Sequence, residues 1–495
     1  MQKLFKKIGC FLLVGMLAAG SLTGCNTSKT SKDAANSDAV PKESYEINWY
    51  FMGNALRDTA AVEAAVNEYL KDKLNVTLKL NRLENSAYER KMNTIIAASE
   101  YFDIAFSSTW ALNYTSTSSM GAWIPLDEFY DKYMPKTKAM LGNDILNIAK
   151  VKGKVYGIPA NKEMATQVGW IYRSDIAEKY NINMNEYKDL KSLMPVLKMI
   201  KEKEPDMQYP IDWDANSKPT DLLQAEYIGY PAAIFPDKYP GKVVNILETP
   251  EYVDMINITR QYYVEGLVKK DVYTAKDLEQ RVKDGKTFCY LQSLKPGKAN
   301  ELATKYKVPL AQAEVTKALL PSTAGLGSMM AISRTSKNPE RVAKFLEMFN
   351  NDPYLNNLIV YGIDGKHYKK VDDKYIDVIP GTGYTLAGSQ WMMGNVFNNY
   401  LTVGEEPDKM EKLKKFNESA VKPQNFGFVP ETESFKQDTA ACITVKAEYG
   451  NMLALGAVPI EEVLPKFKDK LRIVGAQKII DELQRQYDEW YKQKK

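Results

Sequence analysis

Histidine is almost missing from this chain: His367 is the single one among 495 residues. A Ser/His/Asp or Cys/His nucleophilic site would have to be built on it, and no Gly-x-Ser-x-Gly elbow accompanies it. Set among lysines in Gly-Lys-His-Tyr, it reads as a surface or loop residue. Cysteine is nearly as scarce. Four occur, two of them within the first 25 residues, and no Cys/His group has zinc spacing. Cys289 and Cys442 have apolar neighbours and read as buried free thiols, with a disulfide between them as the other reading. An excess of one charge is lacking too, with 66 basic residues against 62 acidic ones, so composition gives no electrostatic case for nucleic acid as a partner. Asp212-x-Asp214-x-Asn216 starts like a calcium loop, but Ser217 replaces the required glycine and Leu223 the closing glutamate. Gly325-Leu-Gly327 lacks the rest of a dinucleotide fingerprint. No metal or cofactor is expected. Paired carboxylates stay open, because spacing along a chain does not report spacing in space.

Aromatic residues are abundant instead, with 31 Tyr and 7 Trp. Most belong in cores or at their rims, with polar tips reaching water. A surplus of Tyr and Trp also suits a flat, amphipathic ligand such as a sugar. At the N-terminus Lys3, Lys6 and Lys7 precede the apolar run from Ile8 to Ala19, and Leu22-Thr23-Gly24-Cys25 follows. The run is too short to span a bilayer and reads as a secretion signal, and no later apolar segment approaches a span. Its end resembles the lipobox of bacterial lipoproteins. That resemblance implies cleavage before Cys25, lipid on its sulfur, and a location on the extracytoplasmic face of the cell membrane. Residues 1–24 are then the signal peptide. Residues 25–44, nearly devoid of large apolar side chains, are a flexible tether with a reach of roughly 20–25 Å.

From Glu46 onward strand and helix patterns alternate. Ile47 to Phe51, Val76 to Leu80 and Asp103 to Phe106 read as strands, with helices around Val62 to Leu70 and Tyr88 to Ala98 between them. That alternation implies a parallel α/β sheet with right-handed crossovers. Tyr187 to Lys203 reads as an amphipathic helix. Thr249-Pro250-Glu251 and Asn338-Pro339 each combine a cap with proline at the first helical position, and a last helix starts near Ala476.

The chain resembles the extracellular solute-binding proteins of oligosaccharide ABC importers, in the Gram-positive lipoprotein branch with an additional C-terminal domain. The carrying stretches run in family order: Glu100-Tyr-Phe-Asp-Ile-Ala-Phe106, Gly121-Ala-Trp-Ile-Pro-Leu-Asp127, Gly153-Lys-Val-Tyr-Gly-Ile-Pro159 and Tyr172-Arg-Ser-Asp-Ile-Ala-Glu-Lys-Tyr180, then Ile332 to Arg341. Tyr361-Gly-Ile-Asp-Gly-Lys-His-Tyr368 and Leu483-Gln-Arg-Gln-Tyr-Asp-Glu-Trp490 mark the branch. The resemblance implies a two-lobed, type II periplasmic-binding-protein-like α/β fold with hinge strands and ligand in the interlobe cleft. It places residues 45–165 and about 328–380 in an N-terminal lobe. About 166–327 and 381–495 then form a C-terminal lobe, with crossings near 160–172 and 320–330. It further implies a monomer without enzymatic activity that hands an oligosaccharide to permease subunits. A peptide cargo, or a secreted glycoside hydrolase, are the alternatives.

In such a fold ligand lies beyond the carboxyl ends of parallel strands. Asn54 follows the first strand, Glu84 the second, and Trp110 the third in the polar loop Ser-Ser-Thr-Trp. Tyr172 falls at the expected hinge, Trp213 between two aspartates, and Trp391 with Asn395 in Gln-Trp-Met-Met-Gly-Asn. These seven are the candidate ligand contacts, the competing role for each tryptophan being to plug a lobe or domain contact. Trp49, Trp123 and Trp490 sit in periodic apolar patterns and belong to cores.

Overall fold

Parallel pairing organises the first hundred residues of the folded chain. β1 (Tyr45–Met52) pairs along its length with β2 (Val76–Leu83), and β3 (Ile104–Ser107) joins its other edge. Helices α1 (Thr59–Leu74) and α2 (Asn85–Ala97) are the crossovers. Strands Met329–Ile332 and Gly157–Pro159 complete this five-stranded sheet, in which Met329–Ile332 runs against the others. A second sheet orders Leu310–Glu314, Gln167–Arg173, Cys289–Leu294 and Ile211–Asp212, and here Gln167–Arg173 is the reversed strand. Each reversed strand is the one that has just arrived from the other sheet. Gln167 pairs with Leu294 and Met329 with Ser107, so each enters beside the carboxyl ends of its neighbours. The carboxyl ends of both parallel sets therefore face the crossing segments.

The computed structural model describes residues 40–213 and 218–494. The signal segment, Cys25 and the tether up to residue 39 lie outside the described residues. From Pro41 the chain is a single compact unit built on two large cores. The first gathers Ile47, Trp49, Phe51, Phe106, Trp123, Phe345 and Phe349, with Trp49 edge-on to Phe349 at 5.3 Å. The second gathers Trp170, Leu197, Trp213, Ile256, Cys289, Phe467 and Leu483. The C-terminal helices Lys436–Ala454, Ile460–Ile473 and Ala476–Lys494 contribute to the second core.

The expected caps form. Asn338 accepts from the Arg341 amide at 3.2 Å and Thr249 from the Tyr252 amide at 3.4 Å. The helix expected from Tyr187 begins instead at Leu190, because Asp189 caps it by accepting from the Ser192 amide at 2.7 Å. Residues 381–420 differ from expectation. Tyr384, Leu386, Met392, Met393 and Phe416 belong to the first core, and the chain joins the second only at Phe428. Three passages link the cores. The Thr166 and Leu319 backbones bond reciprocally, and Leu320 donates to Val421 while Val421 donates to Ala318.

Cys289 and Cys442 are free and buried. His367 is a correction: it is fully enclosed, not a surface residue. Its Nδ1 accepts from the Ile363 amide at 2.9 Å, and its Nε2 lies 3.3 Å from Asp58.

Candidate functional site

A cavity of about 600 Å³ opens where the carboxyl ends of the strands meet the crossings. On one side lie Gln292 and Ser293, at the end of a second-sheet strand, then Lys295, Lys298 and Glu301. On the other lie Tyr361, Gln390, Trp391, Asn399, Tyr400 and Lys409, all beyond residue 360. Lys162 and Glu163, in the first passage between the sheets, join the two sides.

The aromatic part is a cluster of three rings. Trp391 lies 5.8 Å from Trp110 and 6.1 Å from Phe106, and Trp110 is 5.8 Å from Phe106. Trp110 stays 53 % exposed. Both indole N–H groups are spent on backbone, Trp110 donating to the Gly327 carbonyl at 3.0 Å and Trp391 to that of Gly388 at 3.1 Å. The rings are thus held in place, with Trp391 in the cavity lining and Trp110 beside it still half open to solvent, and an indole face is what packs against a sugar ring.

The polar part has unmet demand. Both side-chain amide atoms of Asn399, and Oε1 of Gln390, are buried without a hydrogen-bond partner among the described residues. Buried polar atoms are normally satisfied, so these three stand out in the residues that line the cavity. The charged part is interlocked across the gap. Lys409 lies 3.3 Å from Glu301, and Asn300 donates to Glu406 at 3.0 Å. Burial pushes the Glu301 carboxyl up, but Lys295, Lys409 and Lys298 outweigh it and hold it below the usual carboxylate range.

Hydrogen bonds tie down the backbone on either side of Lys162. Asn161 donates through its amide to Gly394 at 2.9 Å, and the Asn161 carbonyl accepts from Val396 at 2.9 Å. Gly394 has φ 67°, and a Cβ there would lie 2.7 Å from the Phe349 ring, so only glycine fits this clamp. Asn417 accepts from the Met164 amide at 2.8 Å and donates to the Lys162 carbonyl at 2.8 Å.

The seven residues expected from the sequence separate into groups. Trp110 and Trp391 come together, and Trp391 lines the cavity. Asn54 and Glu84 are exposed at the carboxyl ends of β1 and β2, outside the lining. Asn395 lies against the cleft wall in a structural role: it accepts from Asn161 at 3.0 Å and donates to the Asn350 carbonyl at 3.2 Å. Tyr172 packs on the second core, five positions along its strand from Gln167 and so about 16 Å from the cavity end. Trp213 is 1 % exposed and belongs to the second core; its neighbour Asp212 is buried too, paired with Arg281. Tyr172 by its place along the strand, and Trp213 by burial, lie outside the lining of this cavity. Lys162, Gln390, Tyr400 and Asn399 were missed. Asn399 and Tyr400, in Asn-Asn-Tyr soon after Trp391, carried the one available signal.

Comparison with known proteins gives a consistent result. A family described as bacterial extracellular solute-binding protein matches residues 64–365, and a domain of unknown function, DUF3502, matches 424–492. A carbohydrate ABC transporter substrate-binding protein of Streptococcus pneumoniae serotype 4 (strain ATCC BAA-334 / TIGR4) is 28% identical over 491 residues, 98% of this chain and 97% of the relative. The polygalacturonan/rhamnogalacturonan-binding protein YtcQ of Bacillus subtilis (strain 168) is 24% identical over 386 residues, 73% of this chain and 74% of its own. Among solved structures, the N-glycan transport solute-binding protein NgtS from Streptococcus pneumoniae superposes with a TM-score of 0.82 at 26% identity, covering 91% of this chain and 100% of that one. In complex with Man5GlcNAc the same protein gives 0.70 at 26% identity, with 91% and 99% covered. The fold is therefore the two-lobed α/β fold of solute-binding proteins, and the DUF3502 match falls on the helices that close the second core. With more than half of its length matched, the chain belongs to the bacterial extracellular solute-binding proteins.

Proposed function

We infer that this protein is the oligosaccharide receptor of an ABC importer, held at the extracytoplasmic face of the membrane by lipid on Cys25. The observation that carries the reading is the make-up of the cleft. Trp391, backed by Trp110, lines the cavity together with Asn399, whose two amide atoms lack partners, and Gln390, whose Oε1 does. A saccharide presents the complement, apolar ring faces rimmed by hydroxyls that both donate and accept. The names of the relatives point the same way, since they describe binding of N-glycans and of pectic polysaccharides. Capture is a hinge equilibrium that ligand shifts by binding the closed form better. The two saccharide complexes of NgtS superpose on this chain less well, at TM-scores of 0.73 with Man1GlcNAc and 0.70 with Man5GlcNAc, than the structure that scores 0.82. The cleft is built to hold and not to cut. Lysines hold the Glu301 carboxyl below its usual range, against the protonated acid that glycoside hydrolysis needs, and Glu163 and Glu405 are each engaged by a lysine.

A thermal-shift screen of neutral and acidic oligosaccharides tests the reading. At 100 times its dissociation constant a true ligand adds about 2.7 kcal/mol and raises the melting temperature, and it is recovered from the protein with its mass unchanged. Failure of every saccharide to shift the transition, or recovery of shortened products, overturns it. Anchoring has its own test. Cys25→Ser should lose lipid incorporation and appear in the medium, and a variant without lipid that stays on the membrane would refute the anchor.

A further inference from the structure

Four lysines line the cleft against three glutamates, and one lysine is left over. Lys295 lies 3.6 Å from Glu163 and 3.3 Å from Glu301. Lys409 meets Glu301 and Glu405, and Lys298 reaches Glu301 at 3.8 Å. The ammonium of Lys162 has no hydrogen bond and no ion pair among the described residues, although its side chain is half-buried in the cavity wall. Burial draws its pKa down, against the support of Glu163, and Lys295 adds to the fall. Its backbone is held in place, because the Lys162 carbonyl accepts from Asn417 and the neighbouring Asn161 is clamped by Gly394 and Val396.

A cation half-withdrawn from water without an ion-pair partner is costly, and the cost grows as the lobes close and exclude solvent. A neutral hydroxyl would meet its hydrogen bonds and leave its charge. A carboxylate meets both, in a charge-assisted bond about twice as strong as a neutral one. Glu163 supports its charge without forming an ion pair to it, and all three glutamates are engaged by other lysines of the ring.

We propose that the cleft seats a sugar unit bearing a carboxylate, a uronate or a sialate, against the Lys162 ammonium, so that the cargo is an acidic oligosaccharide. The proposal rests on the oligosaccharide reading above and names its chemical class. Trp391 and Trp110 supply ring faces, Asn399 and Gln390 meet hydroxyls, and Lys162 selects for the charge.

The test is calorimetric titration of the mature protein with matched pairs. These are trigalacturonate against its methyl ester, a sialylated N-glycan against its desialylated form, and Man5GlcNAc as a neutral reference. One acidic member should bind about tenfold or more tighter than its neutral twin, with an affinity that falls as salt rises. Lys162→Gln, checked for an unchanged melting temperature, should bring the twins to within about twofold. Equal or tighter binding of the neutral members, or an acidic preference that survives Lys162→Gln, overturns the proposal and leaves the oligosaccharide reading standing. If no saccharide binds at all, the oligosaccharide reading fails first and the proposal with it.

Discussion

An indole that holds a sugar and an indole that fills a core lose different things when cut back to alanine. Trp391 presents a face to the cleft and leans on Trp110 and Phe106. Trp391→Ala should weaken oligosaccharide binding by about 1–3 kcal/mol and leave the unliganded melting temperature nearly unchanged. Trp213 is enclosed by the second core, so Trp213→Ala should cost about 3–5 kcal/mol of stability and little affinity in the protein that remains folded. Calorimetry and thermal melts of the two variants separate these outcomes; the reverse pattern would exchange their roles. Both tryptophans carry polar neighbours in sequence, which is why sequence alone cannot tell them apart. Asp212 looks like a mark of solvent, but it is buried against Arg281. The same ambiguity caught His367, whose lysine-rich surroundings hide an enclosed ring between Ile363 and Asp58. It caught Asn395 as well, where a polar side chain beside the cleft turns out to clamp Asn161.

Among the elements, those whose neighbours lie close in sequence were legible. β1, β2 and β3 and their crossover helices follow from apolar periodicity alone, and the caps at Thr249 and Asn338 from local chemistry. The passages between the lobes were harder. Their pairings join residues 166 with 319 and 319 with 421, far apart in sequence and without a local pattern. Hence residues 381–420 were expected in the wrong lobe, and the cleft, assembled from segments near 162, 293 and 399, was only partly foreseen.

One side chain ties these passages together. Glu226 accepts from the Ser322 amide at 2.8 Å in the second passage and from Asn425 at 2.8 Å in the third. Burial raises its pKa, and the hydrogen bonds offset that only in part. The folded state therefore holds this proton at a pH where the unfolded chain, near about 4.3, has released it. Ionisation works against folding, and the contribution of Glu226 to stability declines as pH rises through the raised value. Glu226→Gln removes the titration. The melting temperature of the parent minus that of the variant should be larger near about pH 4 than near about pH 7. A difference independent of pH would mean that Glu226 does not titrate in the folded protein.

At the scale of the whole molecule, the proposed capture requires the two cores to move as bodies about the three passages that link them. The interlobe contacts Glu301 to Lys409 and Asn300 to Glu406 lie beside the cavity, so closure and ligand engagement share one surface. A cleft that encloses its cargo excludes water from the Lys162 ammonium and from Asn399 together, which couples affinity to closure. The C-terminal helices matched by DUF3502 thicken the second body and leave the cleft lining to residues before 414.

The most direct test of this account is small-angle X-ray scattering of the mature protein with and without a saturating oligosaccharide found in the thermal screen. The account predicts a smaller radius of gyration on binding, with no such change in Trp391→Ala at a ligand concentration that saturates the parent but not the variant. A bound oligosaccharide that leaves the radius of gyration of the parent protein unaltered would contradict it.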